Sequence, residues 1–221
     1  MMDETSDTLP ARTRKPRGQG ASRRGEILEA AKRLFTEEGF AHATMRRIAG
    51  EVGVSPTAIY LHFADKEAIL KAIAEDFFSE LLVELHKTQE KHGPSLAGLR
   101  KGLRTYVEFS LERADEYRLT FQTRAIKDIA PPCGERDVAD QSFDVLEHTV
   151  EDLLAAGIFR PGDPVVIAES IWAAMHGVTS VAMDLMPRVL ATKDALIVSV
   201  IDAIILGFAC KDVVKEEAVL F

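Results

Sequence analysis

Catalysis in this chain would have to start from very few side chains. Trp172 and His176 stand four residues apart, so on a helix they share one face, and Gly177 beside them permits close approach of another helix. No nucleophile or orienting carboxylate accompanies that imidazole. The pair therefore reads first as core packing, and only second as a ligand contact or a catalytic base. The chain has no G-x-S-x-G, no phosphate-binding G-x-x-x-x-G-K, no dinucleotide fingerprint and no His/Cys metal cluster. Gly18-Gln19-Gly20 lies in a polar tail and follows no strand. No enzyme, cofactor or metal is expected. The two cysteines, Cys133 and Cys210, are too few for a disulfide scaffold and lack metal-ligand spacing, which makes a reducing cytoplasm the default.

Recognition chemistry is better represented, in the stretch Thr44 to Leu70. Met45, Ile48, Ala49 and Val52 fall on one helical face that Thr44 can cap, and Gly53 supplies the left-handed backbone that ends such a helix. Ser55 is a good N-cap for a second helix, Pro56 suits its first turn, and Val54 can staple onto Ile59. With Ile59 and Phe63 inward, Thr57, Ala58, Tyr60 and Leu61 face outward, a surface able to enter a groove. Asp65 caps the next helix, with Glu67 near its positive end and Lys66 beside the same surface. The spacing is that of a helix-turn-helix.

The residue identities sharpen this reading. The run V-S-P-T-A-I-Y-L-H-F-A-D-K-E-A-I-L, preceded by I-L-E-A-A-K-R-L-F-T-E-E-G-F from Ile27 to Phe40, closely resembles the DNA-binding domain of TetR-family transcriptional regulators over about residues 22 to 70. It departs from the family at Val52 and Leu61. The resemblance implies that Thr44, Tyr60 and Lys66 hold the phosphate backbone, that Thr57, Ala58 and Leu61 lie on the groove face, and that Arg46, Ser55, Pro56 and His62 complete the DNA-binding set. With so few polar groups on that face, base selection should lean on thymine methyls and DNA shape. Further along, Ile171-Trp-Ala-Ala-Met-His-Gly177 is similar to the Trp-x-x-x-His-Gly signature of a subgroup of TetR-type C-terminal domains.

Charge is distributed accordingly. The 221 residues carry a formal net charge of -8, which argues against a nonspecific nucleic-acid coat. Residues 1–66 hold 11 Lys+Arg against 9 Asp+Glu, however, and residues 67–221 hold 16 against 26, so the basic end contains the helix-turn-helix. Residues 1–20 lack periodicity and are expected to be a disordered basic arm, with Arg12, Arg14, Lys15 and Arg17 available to follow phosphates or enter the minor groove. The N-terminus has no apolar signal segment, and no apolar run approaches the roughly 20 residues that span a bilayer. A soluble, cytoplasmic protein without a membrane partner is expected.

The expected fold is all-α: a three-helix helix-turn-helix domain over 21–67, then a larger α-helical effector-binding and dimerisation domain over 68–221. A helix from Lys66 to about Lys91 links the two, and further helices are predicted at about 95–113, 115–127, 138–156, 163–186 and 193–214. Between Pro164 and Met183 the only ionised side chain is Glu169, and between Ala195 and Cys210 the only one is Asp202. Helices apolar nearly all round must be buried on most sides. A homodimer through these two is expected, drawing on Val181, Leu185, Ile197, Ile201, Ile204 and Phe208. An effector pocket is expected between the long helix and those after it, using Tyr106, Phe109, Tyr117, Phe121, Trp172, Met175, His176 and Met183. Few charges are available, so the ligand should be an apolar or aromatic small molecule with one or two polar groups. The leading reading is a ligand-responsive dimeric repressor, its sense and its unidentified effector implied by the resemblance. The alternative is an effector-independent architectural or activating DNA-binding protein.

Overall fold

A computed structural model describes residues 20–123, 137–184 and 192–213, and all the regular elements within them are helices. The basic arm, Cys133 and Leu185 lie outside the described residues. The first helices build themselves from local signals. α1 (Gly20–Glu37) buries Ile27, Ala31, Leu34 and Phe35, and α2 (Met45–Val52) starts at Thr44, whose hydroxyl accepts a bond from the Arg47 N–H at 3.2 Å. At Gly53 the backbone turns left-handed, with φ 75°, a conformation that costs glycine little and a branched residue much. α3 (Pro56–Ile59) follows at once, capped by Ser55, whose hydroxyl accepts from the Ala58 N–H at 3.2 Å. It is only four residues long, and the chain continues to Phe63 as a turn in which the His62 and Phe63 N–H groups both donate to the Ile59 carbonyl.

α4 (Lys66–His92) starts at Asp65, whose carboxylate accepts from the Ala68 N–H at 2.7 Å, and runs 27 residues. Its first turns bury Ile69, Leu70 and Ile73 in a core shared with α1, α2 and α3. Further along, Phe77 and Leu81 enter a second, larger core. Around them pack α5 (Leu96–Glu112), α6 (Ala114–Gln122), α7 (Val138–Ala155), α8 (Pro164–Met183) and α9 (Lys193–Phe208). The α4–α5 corner is tight: a Cβ on Gly98 would stand 2.2 Å from the Gly93 carbonyl oxygen, so only glycine fits. Ser95, Asp137, Asp163 and Thr192 cap the helices that follow them, and Asp137 and Asp140 close a capping box.

Two expectations need correction. The last helix does not run to 214. It ends at Phe208, where the chain extends and Ala209 forms an antiparallel bridge to Phe159, with the Arg160 N–H donating to the Phe208 carbonyl and the Cys210 N–H to that of Ile158, both at 2.9 Å. A helical turn resumes only at 211–213. Nor is an apolar stretch near bilayer length lacking, because α8 has 20 residues and an 18-residue stretch of it has a mean hydropathy of 1.4. Its inner face, Ile167, Ile171, Met175 and Val178, belongs to the protein core, which accounts for its composition without a membrane.

Candidate nucleic-acid interface and effector cavity

The groove face predicted for α3 and its following turn is open to solvent. Leu61 is 83% exposed and Tyr60 55%, an unusual placement for large apolar side chains; Thr44, Arg46, Ser55, Pro56 and Thr57 are exposed, and Ala58 and His62 are half-buried. Lys66 is placed differently from a free phosphate anchor. Its ammonium donates to the carbonyls of Phe40 at 2.9 Å, Ala41 at 3.4 Å and Ala43 at 3.5 Å, and lies 4.5 Å from the centroid of the Phe40 ring. It ties the α1–α2 loop to the start of α4. Nearby, Arg47 is committed to Glu38, bonding both carboxylate oxygens through Nε at 3.1 Å, and Arg33 pairs with Glu51 at 3.2 Å.

The larger core contains a cavity of about 100 Å³ bounded by α4, α5, α7 and α8. Of the eight residues expected to line a pocket, Tyr106, Trp172 and Met175 do so. Phe109, Tyr117, Phe121, His176 and Met183 do not; all but Met183 belong to a set of ring contacts beside it. There the Trp172 and His176 rings stack at 5.2 Å, the Tyr117 hydroxyl meets His176 Nδ1 at 2.7 Å, and Phe121 touches both Tyr117 and His176. Burial holds the His176 pKa below the ordinary imidazole value, so this ring favours its neutral form. The residues missed, among them Phe78, Leu81, Leu99, Leu103, Phe143 and Leu146, look like ordinary core in the sequence. Gly98 and Gly102, one turn apart on α5, were the available signal.

Polar groups in this region are incompletely served. The hydroxyls of Tyr106, Ser110, Thr120 and Thr179 are buried without a hydrogen-bond partner among the described residues. Tyr117, Ser110 and Trp172 stand close to the Tyr106 hydroxyl, but none makes an aligned bond with it. Burial, with Tyr117 next in effect, pushes the Tyr106 pKa well above the usual phenol range.

α6 joins the two cores. Leu119 is buried in the core of the N-terminal helices, with α6 packed on α1 and α4, and Tyr117, on the same helix, lies in the larger core. At its N-terminal end Glu116 accepts a 3.0 Å bond from Lys32 of α1. Burial disfavours both charges, yet hydrogen bonds outweigh it, those to Glu29 and Glu116 at Lys32 and that from Lys32 at Glu116, so Glu116 is held below and Lys32 above its ordinary pKa.

The faces of α8 and α9 also sort themselves. Ile197 and Ile201 are 5% and 2% exposed and face their own chain's core, so they are not available to a second copy; Ile204 and Phe208 are half-buried against it. The outward face instead shows Val166, Val181, Val198 and Leu206, each at least 37% exposed, with the small residues Ala173, Gly177 and Ala203 between them. Among the described residues no group of three or more His, Cys, Asp or Glu could hold a metal ion.

Two family models match this arrangement in order: bacterial regulatory proteins of the tetR family over residues 27–73, and the tetracyclin repressor-like C-terminal domain over 99–204. The chain belongs to the TetR family of transcriptional regulators. Its relatives carry the names of helix-turn-helix transcriptional repressors and regulators. It is 50% identical over 54 residues to the HTH-type transcriptional repressor AcnR of Corynebacterium diphtheriae, which covers 24% of this chain and only 28% of that relative's length. A longer likeness, 26% identity over 160 residues, covers 69% of this chain and 77% of the nucleoid occlusion factor SlmA of Vibrio campbellii. Among solved structures, a Rhodococcus sp. RHA1 protein of unknown function is 28% identical with a TM-score of 0.73, covering 89% of this chain and all of that one.

Proposed function

We propose that this protein is a homodimeric repressor released from a near-palindromic DNA site by a small apolar or aromatic ligand. The observation that carries this reading is α6, which places Leu119 in the N-terminal core and Tyr117 in the core beside the cavity. A ligand that repacks the cavity wall thereby moves an element both cores share. It needs to favour the released state by only about 1–3 kcal/mol to matter.

In this mechanism residues 21–67 form the DNA-binding unit and 68–221 the effector and dimer unit. Thr44 and Tyr60 hold phosphates, and Thr57, Ala58 and Leu61 meet base edges in the major groove. A second copy docks through the outward faces of α8 and α9, and the two-fold axis sets half-sites about 34–36 Å apart or a multiple of that. The ligand alters the spacing of the two α3 faces and so shifts the population away from DNA. The cytoplasm is the compartment where such a regulator meets its DNA, and Trp172, His176 and Gly177 suggest the Trp-x-x-x-His-Gly subgroup. Operator titration with and without a ligand found by thermal-shift screening tests the scheme. A hit that raises the melting temperature yet leaves operator affinity untouched refutes effector release.

A second reading is DNA binding without an effector, a role that nucleoid occlusion, the function named for one relative, would fit. It predicts binding to chromosomal DNA sites that no small-molecule hit relieves.

A further inference from the structure

The cavity among α4, α5, α7 and α8 has a shape and a polarity that narrow its ligand. On α5, Gly98, Gly102 and Tyr106 line it at four-residue steps; on α4 the lining runs from Phe78 to Gln89. At the helical rise of 1.5 Å per residue these stripes are about 12 to 16 Å long. The room open to the centre of a water-sized sphere is only about 100 Å³, which over that length makes the space slender, a channel and not a chamber. A Cβ added at Gly102 would meet no atom within 4 Å, which leaves open space along that side of α5.

Polarity narrows the choice further. Among the described residues no Asp, Glu, Lys, Arg or His lines the channel. An ionised ligand group would be stranded there without a counter-charge, at a cost far above that of a neutral polar group. Tyr106 is 9% exposed and carries a hydroxyl with no hydrogen-bond partner among the described residues, a group costly to leave unpaired.

We infer that the channel takes a slender, uncharged aliphatic chain bearing one oxygen group, an alcohol, ketone or ester, whose oxygen pairs with the Tyr106 hydroxyl while the chain lies along Gly98 and Gly102. This rests on the reading of the cavity as the effector site. Met175, at the channel wall, is the side chain best able to repack as the chain enters.

The protein's single tryptophan, Trp172, also lines the channel, so its emission reports occupancy directly. The experiment titrates the full-length protein with 1-decanol and, separately, with decanoate at pH 8. Decanol should change Trp172 emission saturably, and decanoate should bind at least about tenfold more weakly. Tyr106→Phe should weaken decanol several-fold, up to about tenfold, the range expected for one hydrogen bond. It should keep the wild-type melting temperature or raise it, because it removes an unpartnered hydroxyl. Gly102→Leu, which grows into the channel, should abolish binding while the circular dichroism stays helical. Decanoate binding as tightly as decanol, an unchanged affinity in Tyr106→Phe, or no saturable binding of decanol would each overturn the inference. The same ligand is then added to an operator complex. Tyr106-dependent binding that leaves operator affinity unchanged defeats the effector reading and keeps the ligand class. Release of DNA by decanol that does not depend on Tyr106 defeats the anchor and keeps the effector reading.

Discussion

Lys66 holds three loop carbonyls and the face of Phe40 with one ammonium group, the same group that a TetR-type regulator would present to a phosphate. Lys66→Ala should therefore cost about 1 kcal/mol of folding stability, measurable by urea denaturation. It should also weaken DNA binding on all sequences alike, and the salt slope separates the two contributions: a direct phosphate contact lowers it by about 1, whereas a purely structural tie leaves it unchanged. Leu61, 83% exposed, has only methyl groups to offer a base. If it reads a thymine, replacing that thymine by deoxyuridine should weaken wild-type binding at one position per half-site and leave Leu61→Ala indifferent. At His176 stability depends on a proton. Its folded pKa lies below the unfolded value near 6.5, so the unfolded chain takes up a proton first as pH falls. The stability this neutral ring contributes is complete above pH 6.5, declines below it and levels off under the folded pKa. Melting temperatures of wild type and His176→Asn, compared from pH 7.5 to 5, should show that extra decline in the wild type alone.

Among the elements, α8 and α9 pose the sharpest question, since each is apolar on nearly every side. Packing assigns Ile171, Met175, Ile197 and Ile201 to the core and leaves Val166, Val181, Val198 and Leu206 outside. Two substitutions of the same chemistry should then behave differently. Val181→Asp should yield a folded monomer by sedimentation, with a melting transition still present, because its carboxylate is solvated once the partner leaves. Ile201→Asp should lose several kcal/mol of stability at any concentration, because it buries an unpaired carboxylate in its own chain. If Val181→Asp instead sediments as wild-type dimer, the α8–α9 face is not the dimer surface.

For the whole molecule, the decisive feature is that the two cores are bound together by α4 and α6, with the Lys32–Glu116 pair and Leu119 as the fastening. Glu116→Gln removes the charge that makes this bond strong while keeping its shape. Operator affinity without ligand should stay within about twofold of wild type, and the loss of affinity on adding ligand should shrink several-fold, because the coupling free energy passes through that contact. An undiminished ligand effect in the variant would place the coupling elsewhere, along α4.

The helix-turn-helix was legible in the sequence because its determinants act over a few residues: Thr44, Ser55 and Asp65 accept bonds from N–H groups three positions on, and Gly53 and Pro56 punctuate the turn by their own backbone chemistry. The all-α class and the long linking helix followed from the same kind of evidence. The bridge between Phe159 and Ala209, which stops the last helix at Phe208, pairs segments about fifty positions apart and leaves no local mark. The faces of α8 and α9 were undecidable for a related reason, since a helix without a polar side carries no preference that neighbours do not impose. The channel was hidden most deeply. Leu81, Leu103 and Leu146 are the same residue type whether they touch one another or a void between them, and only the packing of α4 against α5 and α7 decides which.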